Sequence, residues 1–143
     1  LSFGRDRESM TKIGGHLLRI QGNACFFCHQ PVGNSREIDH FIPWSQYGDG
    51  GLPNLVAACR LFNNGKRSIL AAPEHLEALM IRNRERAPQL IEISKIFSWQ
   101  CDFGRSGRIA IAAYMDSPGK TFLGWQEGKT DDPAGIRIST SPG

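Results

Sequence analysis

Glu37-Ile38-Asp39-His40-Phe41-Ile42-Pro43-Trp44 is the stretch on which the reading of this chain turns. Its apolar content from Glu37 to Pro43, bounded by polar residues and closed by a proline, reads as a short strand. At adjacent positions it carries a carboxylate and an imidazole. Asp39 offers a hard oxygen ligand suited to Mg²⁺ or Mn²⁺. A neutral imidazole at His40 can take a proton near pH 7, because its unperturbed pKa is ~6.5. Neighbours on a regular strand point to opposite faces, so the two cannot both face one site from an ideal strand.

Working outward, residues 24 to 32 form a knuckle pattern: Cys25-Phe26-Phe27-Cys28, with Pro31 and Gly33 marking the turns. Downstream, 45 to 54 is a polar loop containing Gly48-Asp49-Gly50-Gly51. Asn54 then leads into a second apolar run, Leu55 to Ala58, which ends at Cys59. A helix is expected over 63 to 70, opening on Asn63-Asn64-Gly65-Lys66-Arg67. Each piece has an ordinary reading by itself. Asn54 suits a turn, Asn63-Asn64-Gly65 a turn or helix cap, Lys66-Arg67 a solvated face, and the cysteines a buried free pair.

In this order and spacing the four elements resemble the HNH endonuclease family. Its members show a CxxC knuckle, a strand bearing Asp-His with a proline three residues on, an Asn-Leu after a Gly-rich loop, and a helix start with a further CxxC and a basic residue. The resemblance spans Cys25 to Arg67. It implies an α+β fold, a small ββα-metal core with flanking helices, and hydrolysis of nucleic-acid phosphodiesters, most of all in DNA. It also implies roles: His40 as general base, Asp39 and Asn63 on a catalytic Mg²⁺ or Mn²⁺, and Asn54 holding the His40 ring. Lys66 and Arg67 would bind phosphate as positive charges. The chemistry is consistent, since phosphodiester hydrolysis needs an activated water, a cation near the leaving oxygen and neutralised phosphate charge.

The chain departs from the family at one point. Many members hold a structural zinc with two CxxC pairs, and the second pair here is Cys59 with Phe62. Cys25, Cys28 and Cys59 remain, whereas a structural zinc normally has four protein ligands. Water, His29 or Cys101 would have to complete the shell; otherwise Phe62 fills the hole by apolar packing. The sequence favours a weak or absent Zn²⁺ there.

The flanks read as mostly helical. Met10, Ile13 and Leu17 share one face of a helix over 5 to 21, a reading weakened by Gly14 and Gly15. Pro73 suits a helix start; Glu74 and Glu77 at that end and Arg82, Arg84 and Arg86 at the other suit its dipole. Leu76, Leu79 and Met80 form its expected buried stripe, and Ala87-Pro88 its break. Leu90, Ile91, Ile93 and Phe97 suggest another helix, 107 to 116 a further one, and 121 to 125 a strand. The tail over 128 to 143, rich in Asp, Pro, Gly and Ser, is expected to be loose. The organisation expected is one domain over 1 to 143, with the nuclease core at 24 to 70 and a helical extension over 73 to 127.

Composition sets the bounds. The chain has 143 residues, 22% of them charged, and a formal charge of +3, which fits a polyanionic partner without demanding one. No segment has the ~18 consecutive apolar residues of a membrane span, and no apolar leader core is evident at the start. Cysteines at metal-site spacing point to a reducing cytoplasm rather than to disulfides, and the family resemblance implies a bacterial or phage origin. The Arg82 to Arg86 cluster is an expected phosphate contact alongside Lys66 and Arg67. Two rival readings stay open: a non-catalytic nucleic-acid-binding or scaffold module that kept the fold, and a nuclease directed at RNA.

Overall fold

The centre of the molecule is a two-stranded antiparallel sheet. In the computed structural model, which describes residues 3–116, 120–125 and 136–140 and side chains over 6–116, β1 is Arg36–His40 and β2 is Leu55–Cys59. Glu37 lies opposite Ala58, Asp39 opposite Val56 and His40 opposite Leu55. β2 is buried through Ala58, because the sheet is covered on one side by α1 (Phe3–Ile20) and flanked by α2 (Arg60–Lys66).

Gly14 and Gly15, which argued against a helix, are explained by what α1 packs on. A Cβ at Gly14 would meet Ile38 of β1 at 3.1 Å, and one at Gly15 would meet Arg36 at 3.4 Å. Their cost in helix propensity, about 1 kcal/mol each against Ala, allows the close approach of helix and strand. Ile13 and Leu17 are fully buried on the same face. Gln21, just past the helix, donates to the carbonyls of Ala24 and Ala57 and accepts from Ala57 N–H, each at 2.8 Å. With Phe26 N–H donating to Ala57 O at 3.0 Å, the outer edge of β2 is covered, which blocks further strand pairing there.

α2 begins three residues before the expected start. Cys59 caps it, its Sγ accepting from Phe62 N–H at 3.3 Å; Asn63, Asn64 and Gly65 therefore lie inside the helix rather than at its cap. α3 (Pro73–Glu85) and α4 (Ala87–Phe97) follow, with Pro88 in the first turn of α4, so Ala87-Pro88 starts a helix as well as ending one. Leu79 is buried as expected, but Met80 is 52% exposed. Arg82 takes the buried place instead, donating to the carbonyls of Leu55 (2.7 Å), Pro53 (3.2 Å) and Leu52 (3.4 Å).

α5 (Phe103–Asp116) starts earlier than residue 107, where Asp102 Oδ1 accepts from Arg105 N–H at 3.0 Å. Beyond it, β3 (Lys120–Trp125) and β4 (Ile136–Thr140) pair antiparallel with an irregularity between Phe122 and Gly124. The expectation of a loose tail is thus corrected at 136–140; the remainder of that tail lies outside the described residues. The whole is an α+β fold. Among the described residues, no helix is long and apolar enough to cross a membrane.

Candidate active site

β1 ends at His40, and that ending removes the geometric conflict between Asp39 and His40. Both residues line one polar cleft of about 270 Å³, together with Pro43, Trp44, Ser45, Asn63, Arg67 and Ser68. The far wall comes from α2. Asn63 and Lys66, three residues apart, share its face toward β1, and Arg67 closes the helix with an unusual φ of 48°.

Asp39 is almost wholly buried. Its Oδ2 lies 3.2 Å from Lys66 Nζ, and Lys66 is itself fully buried. The two form an ion pair whose angles fall short of a hydrogen bond at Oδ2. Burial pushes the Asp39 carboxyl up and the Lys66 ammonium pulls it back; burial likewise lowers the Lys66 pKa while Asp39 raises it. Lys66 Nζ also donates to the His40 carbonyl at 3.4 Å. This corrects the expectation that Lys66 stands on the surface to meet phosphate: its charge is spent inside, on the end of β1. Arg82 is corrected likewise. It is 8% exposed and pinned to backbone carbonyls, so it cannot belong to a phosphate-binding cluster with Arg84 and Arg86, which remain exposed. Arg67 is exposed at the cleft.

His40 is half-buried, and burial holds its imidazole below the ordinary value, with Lys66 adding to the effect and Asp49 opposing it. Burial thus favours the neutral form of the ring. Asn54 does not reach that ring. Its Oδ1 accepts from Ile42 N–H at 2.8 Å, and its Nδ2 donates to the carbonyls of Ile42 (3.1 Å) and Asp49 (2.9 Å). Both amide donors are thereby used. Asn54 O also accepts from Phe41 N–H at 2.7 Å. Asn54 fixes the backbone immediately after His40 rather than the imidazole itself.

Sequence reasoning missed three residues. Glu37 stands two positions before Asp39, on the same strand face; its Oε2 accepts from Asn63 Nδ2 at 2.7 Å and its Oε1 from Arg60 Nε at 3.2 Å. With the Asn63 nitrogen so engaged, Oδ1 is the atom left to bind a cation. The two-residue spacing on a strand was the available signal. Asp49 and Arg105 gave none: buried Asp49 Oδ1 accepts from Gly51 N–H at 3.0 Å and from Arg105 Nη1 at 3.3 Å, which ties the Gly-rich loop to α5.

The thiols of Cys25, Cys28 and Cys59 converge, all within 4.8 Å of one another. Cys28 and Cys59 Sγ are 3.7 Å apart, close to the ~3.8 Å that two sulfurs 2.3 Å from a tetrahedral zinc would show. The donor set fits three ligands of a thiophilic metal. In place of the fourth, Phe62 stacks on Phe27 with centroids 4.2 Å apart and planes 5° from parallel, and His75 meets both rings edge-on. His29 is exposed, and Cys101 lies by Arg82 and Asp102, outside the cluster. Burial raises the Cys28 thiol to about 12, so a metal would have to displace its proton.

A ββα unit with Asp-His at the end of its first strand and an asparagine from the helix opposite defines the class of HNH-type domains. Residues 26–72, a stretch that covers less than half of the 143-residue chain, match the family model of the HNH endonucleases. Comparison with curated proteins gives no match. Similarity to HNH endonucleases over that stretch points in general terms to nuclease activity, divalent metal and nucleic acid.

Proposed function

We propose that the protein is a metal-dependent endonuclease that hydrolyses phosphodiester bonds, with DNA as substrate, and that residues 24–70 form its catalytic core. The observation that carries this reading is the meeting of Asp39, His40, Asn63 and Arg67 in one cleft. His40, in its neutral form, removes the proton of the attacking water, so that a new P–O bond forms as the bond to the leaving sugar oxygen breaks. Asp39 and Asn63 Oδ1 are the hard oxygens that would hold Mg²⁺ or Mn²⁺; such an ion commonly takes one or two protein ligands and keeps its waters. When bound, it supplies charge stabilisation at the phosphate and the leaving oxygen. Glu37 holds Asn63, Asn54 holds the chain after His40, and Arg67 neutralises phosphate.

Supercoiled plasmid incubated with Mg²⁺, Mn²⁺ or chelator tests this. Nicking or linearisation that needs the ion, is nearly lost in His40→Ala and shifts its metal dependence in Asp39→Ala is the expected result. Cleavage by His40→Ala at the parent rate refutes the assignment. A second reading, a non-catalytic nucleic-acid-binding module, is favoured by one observation: Asp39 is already paired with Lys66 at 3.2 Å. Binding of DNA with no cleavage under any ion would support it.

A further inference from the structure

Trp44 belongs to the cleft, yet none of the chemistry above uses it. Its side chain is 60% exposed, its ring centroid is 5.7 Å from that of His40, and it shares the cleft with Arg67 and Asn63. An exposed indole costs solubility and normally packs away. Here it is bordered by Gly48 and Gly50, where an added Cβ would come to 3.4 Å and 3.6 Å from the ring. A side chain at either position would pack against the indole edge; glycine leaves that edge uncrowded.

The support beneath it is fixed. Gln46 N–H donates to Pro43 O at 3.0 Å, closing the turn that carries Trp44. Trp99 Nε1 donates to Gly50 O at 2.8 Å, and Asn54 and Arg105 hold Asp49 between them. A platform held this way loses little freedom when something stacks on it.

Resting on the nucleolytic reading, we infer that Trp44 is a base-stacking residue that receives an unpaired nucleobase next to the phosphate at His40 and Arg67. The occupant follows from the neighbours. Groups beside the ring are those that face phosphate, so the body within reach of its open face is the nucleoside joined to that phosphate. In a duplex both faces of each base are already covered, and unstacking one costs a few kcal/mol. The site therefore favours single-stranded, frayed or bulged nucleic acid over intact duplex.

Base–aromatic stacking contributes about 1–3 kcal/mol per base, which is roughly 5- to 150-fold in affinity. The test is binding by the full chain in chelator, so that nothing is cleaved. The probes are a short single-stranded DNA, the same strand in duplex, and a chain of the same length without bases. Trp44→Ala should bind the single strand roughly 5- to 150-fold more weakly and the base-free chain as the parent does. Trp44→Phe should keep most of the affinity but lose the part of the fluorescence quenching that the single strand causes in the parent. The parent's preference for single strand over duplex should shrink in Trp44→Ala by the same factor. Equal loss by Trp44→Ala on base-containing and base-free chains, or no loss on either, overturns the inference while leaving the nuclease reading intact. A parent protein that binds none of the three probes overturns both.

Discussion

Lys66 is the residue at which burial reverses what its charge suggests, and replacing it with methionine measures the difference. Methionine keeps the unbranched stem, one atom shorter, and removes the ammonium. Asp39 would then stand nearly buried with no cation against its Oδ2, where Lys66 Nζ now sits at 3.2 Å. Breaking a buried pair from one side costs about 3–5 kcal/mol, out of roughly 5–15 kcal/mol for a whole domain. The melting temperature should fall by on the order of 10–20 °C at pH 7. The loss should shrink in acid. Without Lys66 the Asp39 carboxyl is left with burial alone, which raises it, so the folded state of the variant binds a proton more readily than the unfolded chain. Its stability is therefore best below the unfolded carboxylate value and declines as pH climbs through the raised one. Asp39→Asn added to Lys66→Met should restore much of the loss, because the buried charge is gone. DNA binding gives the contrasting half. Lys66→Met, assayed below its melting range, should leave the salt slope unchanged, whereas Arg67→Ala should flatten it by about one unit. A slope that falls by one unit in Lys66→Met with no change in melting would refute the reasoning, since it would put the ammonium on the phosphate and not on Asp39.

The other expected outcomes concern the base, the buried arginine and the knuckle. In a pH profile of kcat/KM, the acid limb should have its midpoint below 6.5 and be flat at neutral pH, because burial lowers the His40 pKa and a cation at Asp39 would lower it further; a midpoint above 7 would exclude His40 as the group that must be neutral. By linkage the same depression makes the unfolded chain bind more protons, so His40 withdraws stability as pH drops below 6.5, and His40→Ala should lessen that acid sensitivity in thermal melts. Arg82→Met should cost at least about 3 kcal/mol, since it strips donors from three backbone carbonyls, yet leave the salt slope of DNA binding as it is. Phe62→Cys should raise zinc affinity by completing four thiolates while costing about 3–5 kcal/mol without metal; native mass spectrometry of the parent should show well under one zinc per chain, and tightly held stoichiometric zinc would contradict the packing account.

What the sequence disclosed followed from local chemistry. The knuckle and the Asn-Leu strand lie where their spacing suggested, because each is defined by neighbours within a few residues; the Asp-His strand is present too, but it spans Arg36–His40 rather than continuing to Pro43. Boundaries failed where the deciding partner was of an unexpected kind: α2 starts at Arg60 because a cysteine thiol, not Asn63, caps it. Burial of charge failed for a different reason. Lys66 and Arg82 resemble solvated cations in any window, and their partners, Asp39 and the carbonyls of 52–55, are 27 to 30 positions away. Asn54 was recognised as a positioner, but its object was misjudged: its amide is spent on the backbone of Ile42 and Asp49, two residues beyond His40 and in the Gly-rich loop. β4 was legible in Ile136 and Ile138, which alternate, but the Gly, Pro and Ser around them dominated the reading.

The knuckle and the cleft meet in α2, and that makes Phe62 more than a lost ligand. A helix of seven residues is far too short to persist alone, so its placement depends on how its ends are tied. The N-terminal end is fixed by the Cys59 cap and by Phe62 on Phe27; the C-terminal end is fixed by Lys66 on Asp39 and the His40 carbonyl. Asn63 lies between these anchors and is held by Glu37. In a four-thiolate knuckle a metal would anchor the first end; here stacked aromatic rings anchor it, and they need no cofactor. Whatever occupies Cys25, Cys28 and Cys59 can therefore reach the cleft through the orientation of α2, and also through Phe26 and Phe27, which pack on Phe41 next to His40. Removing an ion from the thiols should alter catalysis only as far as it displaces Asn63 or His40, whereas removing one from Asp39 should abolish it.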